Sequence, residues 1–190
     1  MPQPTTQTAA RTVTATTHDN GLVSLPSLVL LAVLLAAGFI LNLTVGTALA
    51  TTGIRPQFVI AAYALAILLT RATVPQALLY GLITAALMQF TTSIPGLNLL
   101  TEPVSAVIMA LLARPSLHIG SRNVTPLVSA FVTTLFSGGL FAALGNVVTG
   151  AAPALFIAKL PTVLGTAVFC AIVVQVLYVP LSHALKRTRG

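Results

Sequence analysis

Apolar residues run in long stretches broken by single basic residues, prolines and short Thr/Ser/Gly/Asn clusters. Charge-free runs cover 20–54, 72–101, 123–158 and 160–185. A membrane-crossing helix needs roughly 20 apolar residues, which each of these runs can supply. The pattern predicts six helices, over 26–47, 56–70, 74–92, 99–112, 124–144 and 161–184. Between them lie a loop or short re-entrant turn from Ala50 to Gly53, a turn over 93–98 marked by Pro95-Gly96, and a loop over 145–153. Pro126 and Pro161 suit the first turns of the fifth and sixth helices, and Pro103 the first turn of the fourth. The second helix, bounded by Arg55 and Arg71, is short at 1.5 Å per residue, so it spans only with snorkelling arginines or local thinning. The fold class expected is an all-α integral membrane protein, with six transmembrane helices in one compact bundle over 21–185.

Composition sharpens this reading. The chain is 56% hydrophobic and 6% charged, with a mean hydropathy of +1.00, more apolar surface than a soluble domain could hide. Residues 1–20, rich in Thr and Gln, lack the apolar content to pack and read as a disordered tail. Residues 1–10 carry no positive charge and no short apolar core follows them, so a cleaved signal peptide is not expected. Residues 186–190 form a basic tail. The net charge of +7 is dispersed singly between apolar runs, not gathered in a patch with aromatics, which argues against nucleic acid. It alternates by side instead. Arg11, Arg71, Arg114, Arg122, Lys186, Arg187 and Arg189 fall on one side and only Arg55 and Lys159 on the other. This bias places both termini in the cytoplasm and the loops after helices one, three and five outside. Cys170 is the single cysteine, which excludes an intrachain disulfide and a Cys-rich metal site.

Candidate chemistry then narrows to few residues. Asp19 and Glu102 are the only acids. Glu102 lies in an apolar stretch, where a carboxylate is expensive and is expected to face a cavity or a partner. On the outer side Arg55, Gln57, Asn98, Glu102, Asn146 and Lys159 gather at helix ends. Such a set could hold a small zwitterion, Arg55 or Lys159 pairing with a carboxylate, Glu102 with an ammonium, and the amides with a polar ring atom. The plainer alternative makes Arg55 and Lys159 interfacial anchors, with Glu102 paired structurally to one of them. Asn42 is expected to bond across helices, Tyr63 and Tyr80 to pack or form an interfacial belt more than to line a pocket, and His118 and His183 to be solvated. Small-residue pairs at Ala32/Ala36, Ala62/Ala66 and Gly81/Ala85 permit close helix approach. No phosphate-cradling Gly-x-x-x-x-Gly-Lys motif occurs, and no catalytic triad can assemble, so neither an enzyme nor a self-powered pump is expected.

Six helices in about 190 residues, cytoplasmic termini, outward polar loops and the Ala32–Ala36 face resemble the substrate-binding S components of energy-coupling factor transporters. The stretches Arg55-Pro56-Gln57-Phe58, Gly81 to Leu87, and Thr91-Thr92-Ser93-Ile94-Pro95-Gly96 look like the tryptophan-transporter-like branch, best over 50–115. Two positions depart from that branch: Gln57 stands where an acid is usual, and Leu97-Asn98 follows Pro-Gly where Gly-Gln is usual. The resemblance implies high-affinity capture of a small solute (tryptophan or another aromatic or vitamin-like molecule) and its delivery inward by toppling in the bilayer. It also implies a transmembrane coupling subunit and two cytoplasmic ATPases as partners. ATP is used by those partners, with no cofactor in this chain, and Ala32 and Ala36 match the motif that docks the coupling subunit. A different class stays open: a non-transporting membrane scaffold whose outer charges only anchor it. A standalone facilitator or channel fits less well, because the polar residues cluster at one end.

Overall fold

The computed structural model describes residues 24–188. The tail expected over 1–20 and the last two residues of the basic tail lie outside the described residues. The described chain is helical apart from turns and one two-stranded hairpin. Its helices are α1 (Leu25–Ala50), α2 (Phe58–Thr70), α3 (Val74–Met88), α4 (Asn98–Leu112), α5 (Thr125–Val148) and α6 (Pro153–Thr188). The strands β1 (His118–Ile119) and β2 (Arg122–Asn123) pair antiparallel between α4 and α5. Gly120, at φ +61°, takes the turn between them. A Gly-Ser pair between two short segments carries that hairpin signal, in a stretch that hydropathy alone leaves as loop.

Helix α2 is the centre of the molecule. Every residue from Phe58 to Leu68 is buried, and the helix packs against each of the other five. Around it, α3 packs on α4, α4 on α5 and α5 on α6, while α1 lies against α2. Lipid removes most of the hydrophobic drive for helix association, so close packing of small residues matters more. Two glycines show it. A Cβ on Gly38 would lie 2.8 Å from the Phe58 carbonyl oxygen, and one on Gly81 would lie 2.5 Å from Pro103 Cα. The Gly81/Ala85 pair is thus where α3 meets α4, and Gly81 cannot hold a side chain.

Several helix ends differ from the sequence reading, each for a local reason. The first helix continues past residue 47 to Ala50 through a π-helical turn at Asn42–Gly46. Asn42 there accepts a hydrogen bond from the Phe58 N–H at 3.2 Å, capping α2. The third helix stops at Met88. Gln89 then organises residues 89–97, donating to the Ala85 carbonyl at 3.2 Å and accepting from the Gly96 N–H at 2.9 Å. Pro103 sits inside α4 and not in its first turn. The loop expected over 145–153 contracts to residues 149–152, because the stop signal is Gly150 at φ +62° and not Gly145. The Ala151 N–H bonds back to the Asn146 carbonyl at 3.0 Å, the closing bond of a Schellman end. Helix α6 therefore begins at Pro153, eight residues before Pro161, which is internal. An internal proline removes one backbone donor, and Pro161 is exposed on the outer face of the helix.

Among the described residues, three helices are long and apolar enough to cross a membrane: Leu25–Ala50, Thr125–Val148 and Pro153–Leu185. The other three are shorter apolar helices. The outer faces are strongly apolar, with Val33, Ile40, Val132, Phe136, Ile172 and Val176 all exposed. In water such a surface would be an aggregation liability; in lipid it is the expected exterior.

Candidate functional site

Most of the core is aliphatic, but one end of the bundle encloses polar side chains. Glu102 is at its centre, 3% exposed. It occupies the fifth position of α4, on the face turned to α2 and α5. The Ser137 hydroxyl of α5 donates to Glu102 Oε1 at 3.1 Å. The Tyr63 hydroxyl of α2 and the Thr101 hydroxyl lie beside the same carboxyl, but neither makes a well-formed hydrogen bond. Cys170 of α6 reaches the centre from the fourth side, next to Thr134, and donates to the Gln57 carbonyl at 3.3 Å. Four helices thus converge on one carboxyl group. α2 supplies Tyr63, α4 Thr101 and Glu102, α5 Thr134 and Ser137, and α6 Cys170.

The sequence predicts six binding residues, and the structure separates them into two groups. Gln57, Asn98, Glu102 and Asn146 turn polar atoms into the protein. Asn98 is the first residue of α4, one turn before Glu102. Asn146 lies in the last turn of α5, and its Nδ2 donates to the Ala151 and Ala152 carbonyls at 3.1 and 3.2 Å. Arg55 and Lys159 are instead exposed. The Arg55 carbonyl accepts from the Thr166 hydroxyl at 3.0 Å, which ties the segment before α2 to α6. Lys159 rides on α6, two turns further out than Thr166. Among the described residues no cation pairs with Glu102.

The buried centre is incompletely satisfied from within. Gln57 Oε1, Tyr63 OH, Thr101 Oγ1, Glu102 Oε2, Thr134 Oγ1 and Asn146 Oδ1 are buried without a hydrogen-bond partner, as is Asn98 Nδ2. On α3, Tyr80 and Thr84 add two more unpartnered hydroxyls. Each such group costs about 1–3 kcal/mol when left unpaired. Tyr63, Thr101 and Thr134, gathered around Glu102, mark a centre built for hydrogen bonding and not for stability alone. Among the described residues no group of three His, Cys, Asp or Glu could hold a metal ion.

A match over nearly the whole described chain decides the family. Residues 24–186 fit the family model described as the tryptophan transporter TrpP. The chain belongs to this family. No curated protein and no solved structure matches it. The TrpP match extends well beyond residues 50–115, where the sequence resemblance is best, and it agrees with the branch named there. Membership in a transporter family, together with the long apolar helices, makes the chain a membrane transport protein.

Sequence reasoning passed over Thr101, Thr134 and Ser137, and it read Tyr63 mainly as packing or an interfacial belt and Cys170 as an apolar residue. One signal was present for Ser137. Thr125, Ser129, Thr133 and Ser137 place a hydroxyl at every fourth residue of α5, and all four are buried. A polar stripe of helical period within an apolar run points inward, toward other helices.

The face carrying Ala32 and Ala36 lies elsewhere. Both are exposed on α1. They line an apolar groove of about 420 Å³ between α1 and α3, with Phe39, Ile83 and Leu87 among its walls.

Proposed function

We propose that this chain is the substrate-capture subunit of an ATP-driven importer. It binds tryptophan, or another aromatic or vitamin-like solute, at the buried polar centre and passes it inward together with a coupling subunit and ATPases. The single observation that carries the reading is Glu102. A carboxyl group inside an apolar bundle, with one oxygen unpartnered, belongs to a site that a ligand completes. The tryptophan-transporter family match supplies the solute class. The expected path has six spans, including the short α2, α3 and α4, and both termini in the cytoplasm. The seven-to-two distribution of basic residues supports that orientation. The enclosed position of α2 supports its crossing despite 13 residues, because a helix sheathed by protein need not match the bilayer thickness itself.

The coupling partners belong to the same proposal. The exposed Ala32 and Ala36 beside an apolar groove suit a helix that packs closely through small residues.

The test is direct binding. The purified full-length chain in nanodiscs, titrated with tryptophan by calorimetry, is expected to show saturable binding that Glu102→Gln weakens strongly while the size-exclusion profile is kept. Absence of binding or thermal stabilisation with tryptophan, the other aromatic amino acids and a vitamin panel would instead leave the scaffold reading.

A further inference from the structure

The polar centre is chemically one-sided. Among the described residues its ionisable side chains are Glu102, Tyr63 and Cys170, with no basic group beside them. Both basic residues of that end, Arg55 and Lys159, are exposed. Its unpartnered acceptors include Glu102 Oε2 and, on the segment whose carbonyl Cys170 meets, Gln57 Oε1, and one turn away Asn98 Nδ2 is an unpartnered amide donor. The Tyr63, Thr101 and Thr134 hydroxyls can turn to suit either role. A solute carboxylate drawn into this centre would meet another carboxyl group and no cation, at full desolvation cost. A solute ammonium brings up to three N–H donors and the opposite charge.

We infer that the site reads the amino end of its solute, on Glu102 within the ring of Tyr63, Thr101 and Ser137, and leaves any carboxylate at the solvated rim with Arg55 and Lys159. Its ligand class is therefore the aromatic amine, with the carboxylate dispensable. This rests on the capture reading above and goes beyond it, because a tryptophan site with a buried cation would need both ends of the amino acid.

Three compounds separate the ends: tryptophan, tryptamine without the carboxylate, and indole-3-propionate without the ammonium. Calorimetry on the full-length wild-type chain in nanodiscs at neutral pH is expected to place tryptamine within about 5-fold of tryptophan, the scale of an exposed ion pair. Indole-3-propionate is expected to bind at least ~30-fold more weakly, the scale of a buried charge left unpaired. In Glu102→Gln the gap between tryptophan and indole-3-propionate is expected to close. The inference is overturned if removing the carboxylate costs as much affinity as removing the ammonium, or more. It is equally overturned if a well-folded Glu102→Gln chain keeps the wild-type gap. Should Glu102→Gln fail to fold, the wild-type series decides alone. Tryptophan binding with the reverse preference sinks this inference and spares the capture reading, whereas failure of all three compounds to bind removes both.

Discussion

Ser137 and Gly81 hold the polar centre in different ways. Ser137 donates the one well-formed hydrogen bond that Glu102 receives from another helix. Ser137→Ala should leave both carboxyl oxygens without a protein partner and lower solute affinity about 10- to 150-fold, the range for a hydrogen bond to a charged group. Calorimetry with tryptophan reads the change, and unaltered affinity would assign Ser137 to packing. Gly81 acts through space. A methyl group there would press on Pro103 Cα and on the Glu102 carbonyl oxygen at 2.5 and 2.9 Å. Gly81→Ala should therefore cost about 1–3 kcal/mol as the α3–α4 contact is forced apart, seen as a lower thermal midpoint in detergent. At this scale the sequence was informative where residues are scarce. Glu102, Gln57, Asn98 and Asn146 stand out in an apolar chain, and all four turn inward. Tyr63 was read mainly as packing or an interfacial belt and Ser137 did not stand out, because hydroxyls are common in membrane helices and only the packing of α2 and α5 against α4 brings them to the carboxyl.

At the scale of elements, helices are tied to one another by side chains that serve another helix's backbone. Gln175 of α6 accepts from the Leu127 N–H at 3.0 Å and donates to the Asn123 carbonyl at 3.0 Å. It thereby satisfies one of the free N–H groups at the start of α5 and the end of the hairpin together. Gln175→Ala should destabilise the α5–α6 pair by about 1 kcal/mol and raise hydrogen exchange at Leu127, with the far end of α5 unchanged. The Ala32 and Ala36 face makes a different prediction. Ala32→Leu with Ala36→Leu should abolish uptake in cells while leaving solute binding by the purified chain within about 2-fold, since neither side chain is among those around the Glu102 carboxyl; unchanged uptake would remove the proposed docking role. Helix number and order were legible in the hydropathy, but several ends were not, those around the last loop most of all. Prolines and glycines compete as signals, and the chain used Pro153 over Pro161 and Gly150 over Gly145. The choice depends on the Ala151–Asn146 closing bond and on Gly145 packing beneath Ile94, where an added Cβ would lie 2.9 Å from Ile94 Cδ1. No single-sequence rule weighs such contacts.

For the whole molecule, the alternation of basic residues makes a topological prediction. Cysteines introduced at Arg55 and Lys159 should react with an impermeant reagent from outside the cell, and one at Arg122 only after permeabilisation. Labelling of Arg55 and Arg122 from the same side would break the six-span path. The hydropathy indicated a bundle, but it treated α2 as a marginal span and gave no hint of its central position. The alanine-rich run from Ala61 to Ala66 looks unremarkable in one dimension, and its meaning comes from the five helices that close over it. That arrangement turns α2 into an axle. Any displacement of one neighbour past the others during a transport cycle must slide on its smooth surface of Ala61, Ala62, Ala64 and Ala66. A saturating mutational scan should accordingly find its deepest intolerance to bulk along this short segment, although most of its side chains carry no chemistry of their own.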